Sequence, residues 1–214
     1  MKNKLNPIQK NLIILVTFCL LLLLIRMKIT HSIFYGFLIW NIFLASVPLI
    51  ISKQIIRINI KEISKFKLKF LVFVWLIFLP NAPYIITDFI HLHHSKSVLV
   101  WLDIFVLFSF SSTGLLLAII SLNDIYQIIK QKWNLKIANV FTISTTFLCG
   151  FGIYLGRFLR LNSWEIFTSP VKVLKSSIYS FNDATTWLVT LGFGSFILIL
   201  FRVYKNIKII NISS

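Results

Sequence analysis

Residues 70–94 read FLVFVWLIFLPNAPYIITDFIHLHH, and this stretch decides the fold class. No charged residue falls between Lys69 and Asp88, a run close to the roughly twenty apolar residues that a helix needs to cross a hydrocarbon core. The run lacks the period-2 alternation of a barrel strand, so it reads as a membrane helix. Pro80 and Pro83 interrupt it. Each removes a backbone donor, and together they push Leu79 and Ala82 away from helical geometry. Helix from Phe70 to Leu79 rises about 15 Å, half of a roughly 30 Å core, which puts the break near mid-membrane. Pro83, with φ preset, suits the first position of a second half-helix.

Working outward, five more apolar runs occupy residues 11–27, 33–52, 98–122, 137–159 and 183–201, and with 70–92 they make six spans. Sustained apolarity without alternation predicts an all-α polytopic bundle forming a single transmembrane domain over 1–214, its third span broken at Pro80 and Pro83. Composition agrees: 57% hydrophobic and 13% charged residues, with mean hydropathy +0.87, against about 25% charged in soluble domains. The basic start and apolar run of residues 1–25 imitate a signal peptide. Arg26 and Lys28 close that run where a cleavage site would stand, so it reads as an uncleaved first span. Cys19 and Cys149 lie inside apolar runs, so no disulfide is expected between them.

The net charge of +16 would suggest nucleic acid in a soluble protein, but no aromatic–basic stripe or binding motif accompanies it, and no nucleic-acid partner is expected. The basic residues instead fall between spans, where they meet lipid headgroups and orient the chain. Fifteen of the 22 Lys and Arg fall on the side that carries both termini and residues 53–69, and seven on the other. The positive-inside rule therefore places both termini in the cytoplasm of a multi-pass cell-membrane protein. Residues 55–70 alternate apolar and basic side chains at helical spacing, which suits a segment lying along the inner headgroups or a solvated loop. The acids and histidines show the opposite bias: Asp88, Asp103, Glu165, Asp183 and every histidine fall toward the outer side.

That bias focuses attention on the outer half of the broken span. In a helix from Pro83, Tyr84, Asp88 and His91 share a face at i, i+4 and i+7. Asp103 sits deep for a lone carboxylate, and Arg157 is placed to pair with it. Arg157 and Arg160 together could clamp a phosphate or carboxylate. The candidate binding set is thus Asn81, Tyr84, Asp88, His91, Asp103, Arg157 and Arg160. The plainer reading is a proline kink patched by neighbours, with the charges balancing one another. A metal is not expected, since Asp88 and His91, even with His94, are weak candidates for the three or four ligands required. No cofactor is predicted, although His31 and His91 near the same face have the chemistry to ligate haem. Gly152-x-x-x-Gly156 would admit a close helix–helix contact, and membrane lipids are the remaining expected partners.

Two segments, LPNAPYIITDFIHL at 79–92 and GIYLGRFLRLNSW at 152–164, resemble an uncharacterised family, domain of unknown function 1361, over roughly residues 33–201. The resemblance implies a bacterial multi-pass membrane protein and supplies no activity, cofactor or catalytic residue. No zinc-protease helix, nucleophile elbow or Walker loop occurs, so nothing in the sequence specifies a reaction. The expectation is a small transporter or envelope accessory protein with a polar site near the outer face. The alternative is a membrane enzyme acting on a lipid-linked or envelope substrate there, with Asp88 or His91 as base.

Overall fold

A computed structural model describes residues 7–58, 63–94 and 99–213. The helices are α1 (Pro7–Thr30), α2 (Phe37–Arg57), α3 (Lys65–Phe78), the single turn α4 (Asn81–Tyr84), a 3₁₀ segment (Ile85–His94), α5 (Val100–Lys132), α6 (Leu135–Arg157), two short helices α7 (Glu165–Thr168) and α8 (Pro170–Ser180), and α9 (Ala184–Ser213). No strand occurs among the described residues. Six helical stretches are long and apolar enough to cross a membrane: α1, α2, α3 with its continuation, α5, α6 and α9. The chain is a polytopic helix bundle.

The axis of the bundle is α5, which touches α1, α2, α4, the 3₁₀ segment, α6 and α9. It extends ten residues past the expected limit of 122, and the acid on that extension is neutralised. Lys53 Nζ lies 2.8 Å from Asp124 Oδ2, Ser52 Oγ donates to the same oxygen at 2.9 Å, and Lys130 and Lys132 complement the dipole of the last turn. Val106, Leu107, Phe110 and Ile125 of α5 are fully buried, while Ile14, Phe43, Leu148 and Leu188 on the outer helices are exposed. Lipid is as apolar as leucine, so close packing holds such a bundle together. One such close contact is α6 on α9, where a Cβ added to Gly150 would stand 2.5 Å from Thr190 O.

The proline break departs from expectation in two ways. Pro83 is the third residue of α4 rather than the opening of a new helix, and Pro80 stands at the N-cap. Beyond Tyr84 the chain winds as a 3₁₀ helix, not an α-helix. The orphaned backbone groups are also covered by side chains: Asn81 Nδ2 donates to Phe78 O at 2.9 Å and Ser111 Oγ to Ile85 O at 3.1 Å. This is the patched kink. Between α2 and α3, residues 59–62 lie outside the described residues. The basic run at 65–69 forms the first turns of α3, with Ser64 Oγ accepting from Lys67 N at 3.2 Å, rather than part of a separate surface helix.

Candidate functional site

A 3₁₀ helix repeats every three residues, so Ile85, Asp88 and His91 share a face, with Tyr84 and Thr87 on an adjoining row. Arg157, in the last turn of α6, reaches across both rows. Its Nε donates to Thr87 Oγ1 at 2.8 Å and its Nη2 to Asp88 Oδ1 at 2.5 Å, while Nη1 lies 3.4 Å from His91 Nε2. The guanidinium also covers the Tyr84 ring at 4.8 Å. The other oxygen of Asp88 accepts from Asn41 Nδ2 at 2.7 Å. Asp88 is 1% exposed, and such a carboxylate is tolerable in the membrane only when it is paired in this way.

The expected partner of Arg157 was Asp103, and the structure corrects this. Asp103 belongs to Arg26: Nε donates to Oδ1 at 2.8 Å and Nη2 to Oδ2 at 3.4 Å. Arg26 Nη1 also donates to Ser32 O at 3.0 Å, and the guanidinium lies 4.6 Å from the Tyr35 ring centre. The sequence hid this pair because Arg26 follows a long apolar run and reads as its flanking charge. The helix instead continues to Thr30 and carries Arg26 inward. Asp103 is therefore part of a separate buried clamp between α1 and α5.

The small-residue notch on α6 is filled by the chain itself. A Cβ on Gly152 would stand 2.5 Å from Pro80 Cγ, and one on Gly156 would stand 3.1 Å from the Tyr84 ring. The broken span is thereby seated against α6 in a way that aligns Tyr84, Asp88 and His91 with Arg157.

Beside this seat a cavity of about 500 Å³ opens, lined by Asn81, Tyr84, His91, Arg157 and Arg160 together with residues of α2 and the segment after α6. Five of the seven sequence candidates thus converge on one space, with Asp88 directly behind it. Asn81 Nδ2 donates to Ser163 Oγ at 2.8 Å, tying the floor to that segment. Arg160 is exposed and adopts φ 54°, a left-handed conformation uncommon outside glycine. None of the ion pairs among the described residues involves it. The segment is braced at Glu165, where Asn162 N donates to Oε1 at 3.0 Å and Lys172 Nζ to Oε2 at 2.7 Å. The Lys172 hydrogen bond, followed by those from Asn162, lowers the Glu165 carboxyl to about 2.

Asn41, Thr87, Ser163 and Trp40 escaped the sequence reading. Only Asn41, an amide within an apolar run, left a visible trace. His31 stands at φ 48° in the α1–α2 turn, His93 is exposed, and the side chain of His94 lies outside the described residues. Among the described residues, no three His, Cys, Asp or Glu side chains come together as a metal site would require.

No curated protein matches the chain, and no solved structure does. The family model described as Protein of unknown function (DUF1361) matches residues 40–200, most of the chain, and the chain belongs to that family.

Proposed function

We propose that this multi-pass membrane protein binds an anionic ligand in the cavity beside Arg157, at the outer face of a cell membrane, with both termini in the cytoplasm. It would serve as a small transporter or an envelope accessory protein. The distribution of Lys and Arg supports the orientation. The observation that carries the ligand reading is the contrast between two arginines three residues apart, one in the last turn of α6 and one beyond its end. Arg157 is engaged by Thr87 and Asp88, whereas Arg160 lines the same cavity, forms no ion pair among the described residues and holds a strained φ. Strain of that kind concentrates at ligand clamps, and a guanidinium suits phosphate or carboxylate.

The enzymatic alternative draws less support from the geometry. Both oxygens of Asp88 are taken, by Arg157 and Asn41. His91 Nε2 accepts from Arg157 Nη1 at 3.4 Å, so the lone pair that a base would use is already engaged.

The test is a thermal-shift titration of the purified protein with inorganic phosphate and with acetate. Arg160→Asn is the informative variant, because asparagine accepts positive φ and so removes the guanidinium without disturbing the backbone. Stabilisation of the native protein by an anion, lost in Arg160→Asn, is the expected result. Equal responses of the two proteins would overturn the reading.

A further inference from the structure

We infer that the ligand of this cavity is a phosphate group carried on a hydrocarbon chain, entering sideways from the lipid between α2 and α6. The inference rests on the anion-binding reading and names the substrate class. It follows from how the two walls are made. The wall formed by the end of α6 and the segment after it offers Arg157, Arg160, Asn162 and Ser163. The facing wall offers Trp40 and Leu44 of α2 and Ile90 of the 3₁₀ segment, beside His91, whose Nε2 is engaged by Arg157. Asn41 also lies on that wall, but its amide is committed to Asp88. A small soluble anion would satisfy the first wall and leave the second empty. An amphiphile matches both.

The route follows from helix packing. α4 is seated between α2 and α6, touching both, but α2 and α6 do not pack extensively on each other. The cavity occupies the gap between them, floored by Pro80 and Asn81. Trp40 and Ile90 on its rim are each 53% exposed, on stretches apolar enough to lie in lipid. Above the gap Trp40 meets Trp164 edge to face, their ring centres 6.3 Å apart. This contact links α2 to the segment after α6 at interface level, where tryptophan is favoured. A chain entering beneath that link keeps its tail in the hydrocarbon while its head reaches Arg160.

The probes are dodecyl phosphate and inorganic phosphate, each titrated into the detergent-purified full chain and followed by thermal shift and native mass spectrometry. Burial of even two methylenes gives about tenfold in affinity, so dodecyl phosphate should bind at least about tenfold more tightly. Arg160→Asn should weaken both ligands. Ile90→Trp, which crowds the rim at an exposed position, should weaken dodecyl phosphate more than inorganic phosphate and so narrow the gap between them. Equal affinity of the two ligands for the native protein would overturn the amphiphile while keeping the anion site. Binding of neither would overturn the anion site as well. Dodecyl phosphate binding that ignores both substitutions would show mere partition into the detergent belt, and would also overturn the inference.

Discussion

Arg26 and Asp103, on α1 and α5, meet at 2.8 Å with side chains only 2% and 0% exposed. α1 packs extensively on no helix other than α5, so this ion pair sits at its principal attachment to the bundle. Removing one member of a buried pair leaves an uncompensated charge, costing about 3–5 kcal/mol, whereas replacing both with apolar residues of similar size can be neutral. Asp103→Leu should therefore sharply lower the yield and melting temperature of the purified protein. Arg26→Met added to it should restore most of both. Arg157→Ala added to Asp103→Leu should give no rescue, because Arg157 belongs to Asp88.

The Asp88–Arg157 pair admits the same logic with an additional readout. Asp88→Asn alone should accumulate poorly, because Arg157 loses its counter-ion 2.5 Å away. Asp88→Asn with Arg157→Gln should recover much of the folded protein, judged by monodisperse elution in detergent. The double variant should still bind phosphate weakly, since one of the two cavity arginines is gone. If it accumulated and bound phosphate as the native protein does, Arg157 would have a purely structural role. Asp88→Asn paired with His91→Gln is a poor probe of function, because it combines the loss of a counter-ion with any loss of binding.

These two pairs also mark how far the sequence was legible. Six apolar runs identified the helices, since apolarity over a span is a one-dimensional property. Five residues of the cavity were readable because Asn81, Tyr84 and His91 are close in sequence, as are Arg157 and Arg160. Partner choice was not readable. Whether Arg157 meets Asp88 or Asp103 depends on which helix α6 faces, and that was set by Pro80 and Tyr84 filling the space beside Gly152 and Gly156. The 3₁₀ winding from Ile85 was equally hidden, because Asp88 and His91, three residues apart, share a face in an α-helix almost as well as at three residues per turn.

The brace at Glu165 predicts a specific acid response. Its carboxyl is held at about 2, below the ordinary value of about 4.3. A depressed carboxylate contributes stability that is fully present above its unfolded value and lost as pH falls through the folded one. Hydrogen-exchange protection of the Asn162 amide, which donates to Glu165, should be constant from about pH 7 to pH 5 once intrinsic rates are divided out. It should fall progressively between about pH 4 and pH 2. Lys172→Ala should move that loss to higher pH, because the Lys172 hydrogen bond is the largest cause of the depression. A protection profile that changes between pH 7 and pH 5 would point to some group other than Glu165.

The proposed orientation is the premise beneath the cavity's access to the outer leaflet, and it can be tested without knowing the ligand. Cys19 and Cys149 are both buried and unbridged, so a variant lacking them gives a clean background. Single cysteines are then placed at Ser64, the N-cap of α3, and at Lys175, exposed on α8. Loss of the Ser64 cap costs about 1 kcal/mol, too little to unfold the bundle, and labelling of detergent-solubilised protein confirms that each thiol is reachable. In intact cells a membrane-impermeant maleimide should label the cysteine at 175 and spare the one at 64. The reverse pattern would put the Arg157 cavity in the cytoplasm, and a ligand would then have to come from the inner leaflet. Labelling at both positions in sealed cells would mean that the two segments share a side. Three crossings lie between them, so one of α3 with its continuation, α5 or α6 would then fail to span.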